Sequence, residues 1–142
     1  MKRLLLATII FVLALPLQSL CDDISQEILQ EAENYLLKAY ELDLQTSGPE
    51  FMSLTELARL KYDQKQYGKA VGFYERAIRA MEKAGASEKA PIGFADILDE
   101  YGNALQHTGQ TKESRNIRSK ASKLRRLNPG GHSVTDRTPY GT

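Results

Sequence analysis

The sequence predicts an all-α fold, built as an array of antiparallel helix hairpins with five helices. Apolar residues recur every three or four positions through residues 24–126, which is the period of helices that bury one face. Glycine and proline interrupt this pattern at short intervals, so the helices are short and closely connected. No segment alternates apolar and polar residues as a half-buried strand would.

Each break between helices has a chemical reason. Ser47-Gly48-Pro49 follows the first helix, Gly85 follows the third, and Gly109 follows the fourth. Pro91 restarts the chain because proline suits the first turn of a helix. Asn128-Pro129 ends the fifth helix. The predicted helices cover residues 24–44, 50–65, 67–84, 91–107 and 111–126.

The first 21 residues have the order of a secretory signal peptide. Lys2 and Arg3 precede an apolar run over residues 4–15. That run is shorter than the roughly 20 residues of a membrane-spanning helix. Ser19 and Cys21 supply the small residues that precede a cleavage site. We therefore expect export to the periplasm or to a secreted space.

Cys21 leaves a second interpretation open, in which the cysteine is acylated and anchors the chain to a membrane. Leu20 argues against it, because lipoprotein signals place a small residue directly before the cysteine. In either case we expect a signal peptide over 1–21, a helical domain over 22–128 and a flexible C-terminal tail over 129–142. The tail has too few apolar residues to fold alone.

Charge is balanced overall and uneven along the chain. Without residues 1–21, 17 basic and 18 acidic residues remain, so the net charge is −1. This total gives no support for nucleic-acid binding. Residues 22–56 contain nine acids and one base, whereas residues 112–126 contain seven bases and one acid. We therefore expect a negative electrostatic potential at the N-terminal end of the domain and a positive one at its C-terminal end.

Few residues could carry catalysis or hold a metal. Cys21 is the only cysteine, and the sequence has two histidines. Asp96 and Asp99 are one helical turn apart, yet acid–base catalysis also needs a pocket that raises a pKa, and the sequence indicates none. We expect no enzymatic activity, no cofactor and no metal site.

An internal repeat is present in three segments. Each has a small residue, a larger residue four positions later and an alanine three positions after that. The triplets are Ala32, Leu36 and Ala39, then Ala70, Tyr74 and Ala77, then Ser114, Arg118 and Ala121. A single hairpin cannot bury its apolar face, so such units stack on one another.

The repeat resembles the tetratricopeptide repeat (TPR) family, in particular the longer repeats of the kinesin-light-chain type. The middle unit carries the resemblance most clearly, at Leu57-Ala58, Tyr62-Asp63-Gln64, Tyr67, Ala70, Tyr74 and Ala77-Ile78. The third unit departs from the family pattern at Thr111, Ser114 and Arg118, and Lys65 replaces the usual glycine between the middle unit's two helices. The resemblance implies a TPR-like α-solenoid of about two and a half repeats.

The resemblance also implies a function. In this family the first helix of each pair lines a short concave groove, whose polar side chains bind the backbone of an extended peptide. The matching positions are Thr55, Arg59, Tyr62, Asp96, Asp99, Asn103 and Gln106. They predict a non-catalytic adaptor or assembly factor with a protein or peptide partner. A solvated helix face without a ligand is the alternative interpretation of these positions.

A further alternative is a structural subunit that associates with itself. The acidic first helix of one copy would then contact the basic fifth helix of another. Contact with a membrane is expected only if Cys21 carries a lipid.

Overall fold

The computed structural model describes the backbone of residues 2–131 and the side chains of residues 23–131. Within that part of the chain there are six α-helices and no strands, so the predicted all-α helical array is confirmed. The helices are α1 (Lys2–Thr46), α2 (Glu50–Asp63), α3 (Tyr67–Lys83), α4 (Ala86–Lys89), α5 (Pro91–His107) and α6 (Thr111–Leu127).

Two elements differ from the prediction. The first helix was expected to begin at residue 24, whereas α1 begins at Lys2 and continues through Pro16. No glycine occurs before Gly48, so the first strong break is Gly48-Pro49. In addition, the stretch after Gly85 was expected to be a simple break, and it forms the one-turn helix α4. The predicted tail lies outside the described residues from residue 132 onward.

The long helices form two hairpins and one unpaired helix. Helix α2 packs on α3, and α5 packs on α6. Contacts between α3 and α5 join the two hairpins, and α1 packs on α2 at the other end. The turns inside both hairpins use left-handed backbone, with φ of 59° at Lys65 and 80° at Gly109. Lys65 therefore takes a conformation that favours glycine, at the position where the sequence departs from the repeat pattern.

Small residues let the helices of each hairpin approach closely. Ala58 and Ala70 are fully buried between α2 and α3, and Ala104 and Ala121 are fully buried between α5 and α6. Ser114 takes the place of alanine because its hydroxyl donates to the carbonyl of Gly102 at 2.7 Å, which satisfies a buried polar group. Bulky fully buried side chains fill the remaining space, namely Leu54, Leu57, Leu60, Tyr74, Phe94, Leu98 and Leu105.

Candidate functional site

A groove opens between the first helices of the two hairpins, α2 and α5. Its volume is about 330 Å³. We call it the α2–α5 groove, and it is lined by Phe51, Met52, Thr55, Glu56, Arg59, Met81, Ala90, Gly93, Phe94 and Ile97. Most of these side chains are apolar, so the groove presents an apolar surface with a polar end at Glu56 and Arg59.

The groove exists because small residues at the N-terminal end of α5 face large residues at the start of α2. Ala90 and Gly93 leave space opposite Phe51 and Met52. A Cβ atom added at Gly93 would meet no atom within 4 Å. Met52 is 59% exposed, so its side chain adds apolar surface to the wall of the groove. These residues therefore leave an apolar surface in contact with solvent.

A buried ion-pair network joins α2, α3 and α5 at the polar end of the groove. The guanidinium of Arg59 donates twice to Glu100, at 2.9 Å from Nε and 2.8 Å from Nη2, and once to Glu56 at 2.7 Å. The hydroxyl of Tyr74 also donates to Glu100, at 2.9 Å. Arg59 is only 7% exposed, and its hydrogen bonds to Glu100 raise its pKa above the ordinary value even though burial opposes this. The network holds α2 and α5 at a set separation.

Two of the seven residues predicted to bind a partner line this groove. They are Thr55 and Arg59. The hydroxyl of Thr55 donates to the carbonyl of Phe51 at 2.7 Å, and the guanidinium of Arg59 uses three of its five N–H donors on Glu56 and Glu100. Both side chains therefore shape the groove more than they offer free hydrogen-bonding groups to it.

Tyr62 lies at the other end of α2, in a cluster of three rings. Its ring centroid is 5.2 Å from that of Tyr67 and 5.6 Å from that of His107, in edge-to-face geometry. The rings of Tyr67 and His107 stack at 4.2 Å. This cluster joins α2, α3 and α5 by aromatic packing, so Tyr62 contributes to the connection between the hairpins.

The remaining four predicted residues face α6 and not the groove. Asp96 and Asp99 accept hydrogen bonds from Arg125 at 2.7 and 2.6 Å. Hydrogen bonding to Asp96 is the largest effect that raises the pKa of Arg125. Asn103 and Gln106 both accept from Arg118, the latter at 3.0 Å. The seven residues thus divide between two surfaces.

The position of these four residues follows from the end of the array. Thr55 and Arg59 correspond in the repeat to Asp99 and Asn103, 44 residues later. The α2 pair faces the next first helix, α5. Among residues 2–131 no further first helix follows α5, and the arginines of α6 extend across this side of it. In the second hairpin, side chains of α6 therefore cover the positions of α5 that correspond to the groove-lining positions of α2.

Other groove residues were not predicted to contact a partner. Met52, Gly93, Phe94 and Ile97 line the groove and were not among the seven predicted positions. Two signals were available in the sequence. Met52 lies off the apolar stripe of its helix, and Gly93 is a glycine inside a helix, where it lacks a packing side chain.

Comparisons of this chain with protein-family models, with curated proteins and with solved structures return no match. Among the described residues, no group of three His, Cys, Asp or Glu side chains is arranged to hold a metal ion. Within the same part of the chain, no helix combines the length and the apolar character needed to cross a membrane.

Proposed function

We propose that this protein is an exported, non-catalytic protein-binding module of the TPR type, acting as an adaptor or assembly factor. The paired hairpins, the buried alanines between their helices and the left-handed residues at Lys65 and Gly109 support the assignment to this type. The observation that carries the proposed binding role is the solvent-open apolar groove between α2 and α5.

The partner is a protein segment that places a bulky apolar side chain in the α2–α5 groove. Phe51, Met52 and Ala90 provide the solvent-exposed apolar contact, while Arg59 and Glu100 hold the polar end rigid. The groove volume is at the lower end of the range for ligand sites, about 300–1,000 Å³, which suits one or two side chains. A rigid groove loses little conformational entropy on binding, which favours affinity from a small contact.

The groove is tested by filling it. Gly93→Leu adds an apolar side chain where the structure leaves open space, and the substitution also raises helix propensity. Peptides are selected from a random library on the mature chain, and their affinities are measured by isothermal titration. We expect selected peptides to carry a bulky apolar residue and to bind Gly93→Leu about 10- to 100-fold more weakly, which is the effect of one buried apolar side chain.

Gly72→Leu is the matched control. Gly72 also lies inside a helix with no atom within 4 Å of an added Cβ, but it is exposed on α3, away from the groove. Peptide affinity should be unchanged in this variant. Equal binding of the peptides to wild type and Gly93→Leu would refute the groove as the binding surface.

Export is tested by the mass of the mature protein. With the full gene expressed in a bacterial host, we expect intact mass spectrometry to find a chain that begins at Asp22, because the cut follows Cys21. A chain that begins at Cys21 and carries the extra mass of acyl groups would establish the lipid-anchored alternative. An uncut chain would contradict both forms of export.

A further inference from the structure

Over residues 23–46, where its side chains are described, helix α1 has one face on the domain and one face in solvent. On the domain side, Glu33 pairs with Lys61, the hydroxyl of Ser53 donates to Asp43 at 2.6 Å, and Arg76 donates to the hydroxyl of Tyr40 at 2.6 Å. Positions 33, 40 and 43 follow helical spacing, so they define the inner face of α1.

The opposite side of α1 combines apolar and acidic residues. Ile28, Tyr35 and Leu42 recur every seven residues and are 60%, 63% and 58% exposed. Four exposed acids accompany them, with Lys38 as the one exposed base of this segment. We call this surface the outer α1 face, and its members are Asp23, Ile24, Glu27, Ile28, Glu31, Tyr35, Glu41 and Leu42. No described helix packs over it, and four large apolar side chains in one stripe are typical of an interaction site.

Helix α6 carries the complementary charge at the other end of the array. Three of its cations bind within the domain: Arg118 to α5, Lys120 to Glu82 and Arg125 to α5. Four others are exposed and make no ion pair with any described residue. They form the outer α6 face, made of Lys112, Arg115, Lys123 and Arg126. This face lies opposite the buried Ser114 and Ala121.

We propose that the outer α6 face of one copy binds the outer α1 face of a second copy, head to tail. The charges are complementary, because the four acids of the outer α1 face outnumber Lys38, which lies over the Tyr35 ring on the same side of the helix, and so leave a net charge of −3 against four bases. The outer α6 face is short enough to lie along the outer α1 face, since residues 112–126 of α6 extend about 21 Å and residues 23–42 of α1 about 29 Å at the rise of an α-helix. The hydrocarbon stems of lysine and arginine cover the apolar stripe while their charged ends reach the flanking carboxylates.

The position of the two faces determines the kind of assembly. Helix α1 packs on the first hairpin through α2, and α6 packs on the second hairpin through α5. The two faces are therefore different surfaces at different ends of the molecule. A single contact between two copies leaves one outer α1 face and one outer α6 face unused, so further copies can add to form an open chain or a closed ring.

Charge reversal on each face tests the proposal with the mature chain, residues 22–142. The acidic-face variant carries Glu27→Lys and Glu31→Lys, and the basic-face variant carries Lys123→Glu and Arg126→Glu. Sedimentation velocity at low salt should show concentration-dependent oligomers for wild type and monomers for either variant, with affinity lowered about 10-fold or more. An equimolar mixture of the two variants should associate again, because each reversed face then meets its opposite charge. High salt should dissociate the wild-type oligomers.

The control variant carries Lys69→Glu and Lys83→Glu at two exposed positions of α3. It lowers the net charge by as much as the basic-face variant does. It should associate as wild type does, and so should Gly93→Leu, which separates this surface from the groove. A monomeric wild type at low salt would overturn the proposal. Self-association that survives basic-face reversal would also overturn it, because it would show contact between α1 helices alone.

Discussion

Glu100→Ala is expected to lower the free energy of unfolding by about 3–5 kcal/mol, the usual cost of removing one partner of a buried ion pair. Glu100 accepts two hydrogen bonds from Arg59 and one from Tyr74. Its removal takes away two of the three hydrogen bonds that the buried guanidinium donates, and one that the Tyr74 hydroxyl donates. Chemical denaturation followed by circular dichroism measures the change.

The double variant Arg59→Met, Glu100→Leu distinguishes two contributions to the free energy of unfolding. One is the cost of leaving a buried charge unpaired, and the other is the net stabilisation by the ion pair. The double variant removes both charges and fills their volume with apolar side chains, which is often neutral or stabilising in a buried setting. We expect it to recover most of the stability lost in Glu100→Ala. A double variant as unstable as the single one would show that the ion pair itself stabilises the fold.

Phe94→Ala is expected to destabilise the chain by about 3–5 kcal/mol, the range for truncating a buried aromatic side chain. Phe94 is fully buried, lies in the core shared by α3 and α5, and also forms one wall of the α2–α5 groove. The loss combines removed apolar burial with a cavity that the hairpins cannot fill. Thermal and urea unfolding of the variant measure the effect.

Leu127→Ala is the matched control for Phe94. Leu127 is also a large apolar residue in a helix, but it is 64% exposed at the end of α6. Truncating it should change stability by less than about 0.5 kcal/mol. If Phe94→Ala cost under about 1 kcal/mol, the junction between the hairpins would not be the packed core that the structure shows.

The helices were predictable because their signals are local. The apolar period and Pro91 predicted a helix over 91–107, and α5 is Pro91–His107. The repeated alanines predicted the close crossings of the two hairpins, where Ala70, Ala77 and Ala121 are fully buried, but on the unpaired helix α1 the repeated Ala32 is half-buried and Ala39 is exposed. The length of α1 was missed because residues 4–15 are an almost unbroken apolar run, which predicts a signal peptide and lacks the three-to-four-residue period of a half-buried helix.

The candidate site was only partly predictable, since it depends on which neighbour each helix face meets. Repeat correspondence placed Thr55 and Asp99 in equivalent positions, yet one lines the groove and the other binds Arg125. The two environments differ because α2 is followed by another hairpin, whereas among the described residues α5 is followed only by its own partner helix.

The sequence by itself determined the helical fold, the order of the hairpins and the opposite charges of the two ends, because periodicity, helix breakers and charge are properties of neighbouring residues. Tertiary structure alone decided that Arg59 binds Glu100, 41 residues away, and that Gly93 opens a groove opposite Met52. Those contacts depend on how one helix is placed and rotated against another. Long-range packing sets that placement, and no local pattern encodes it.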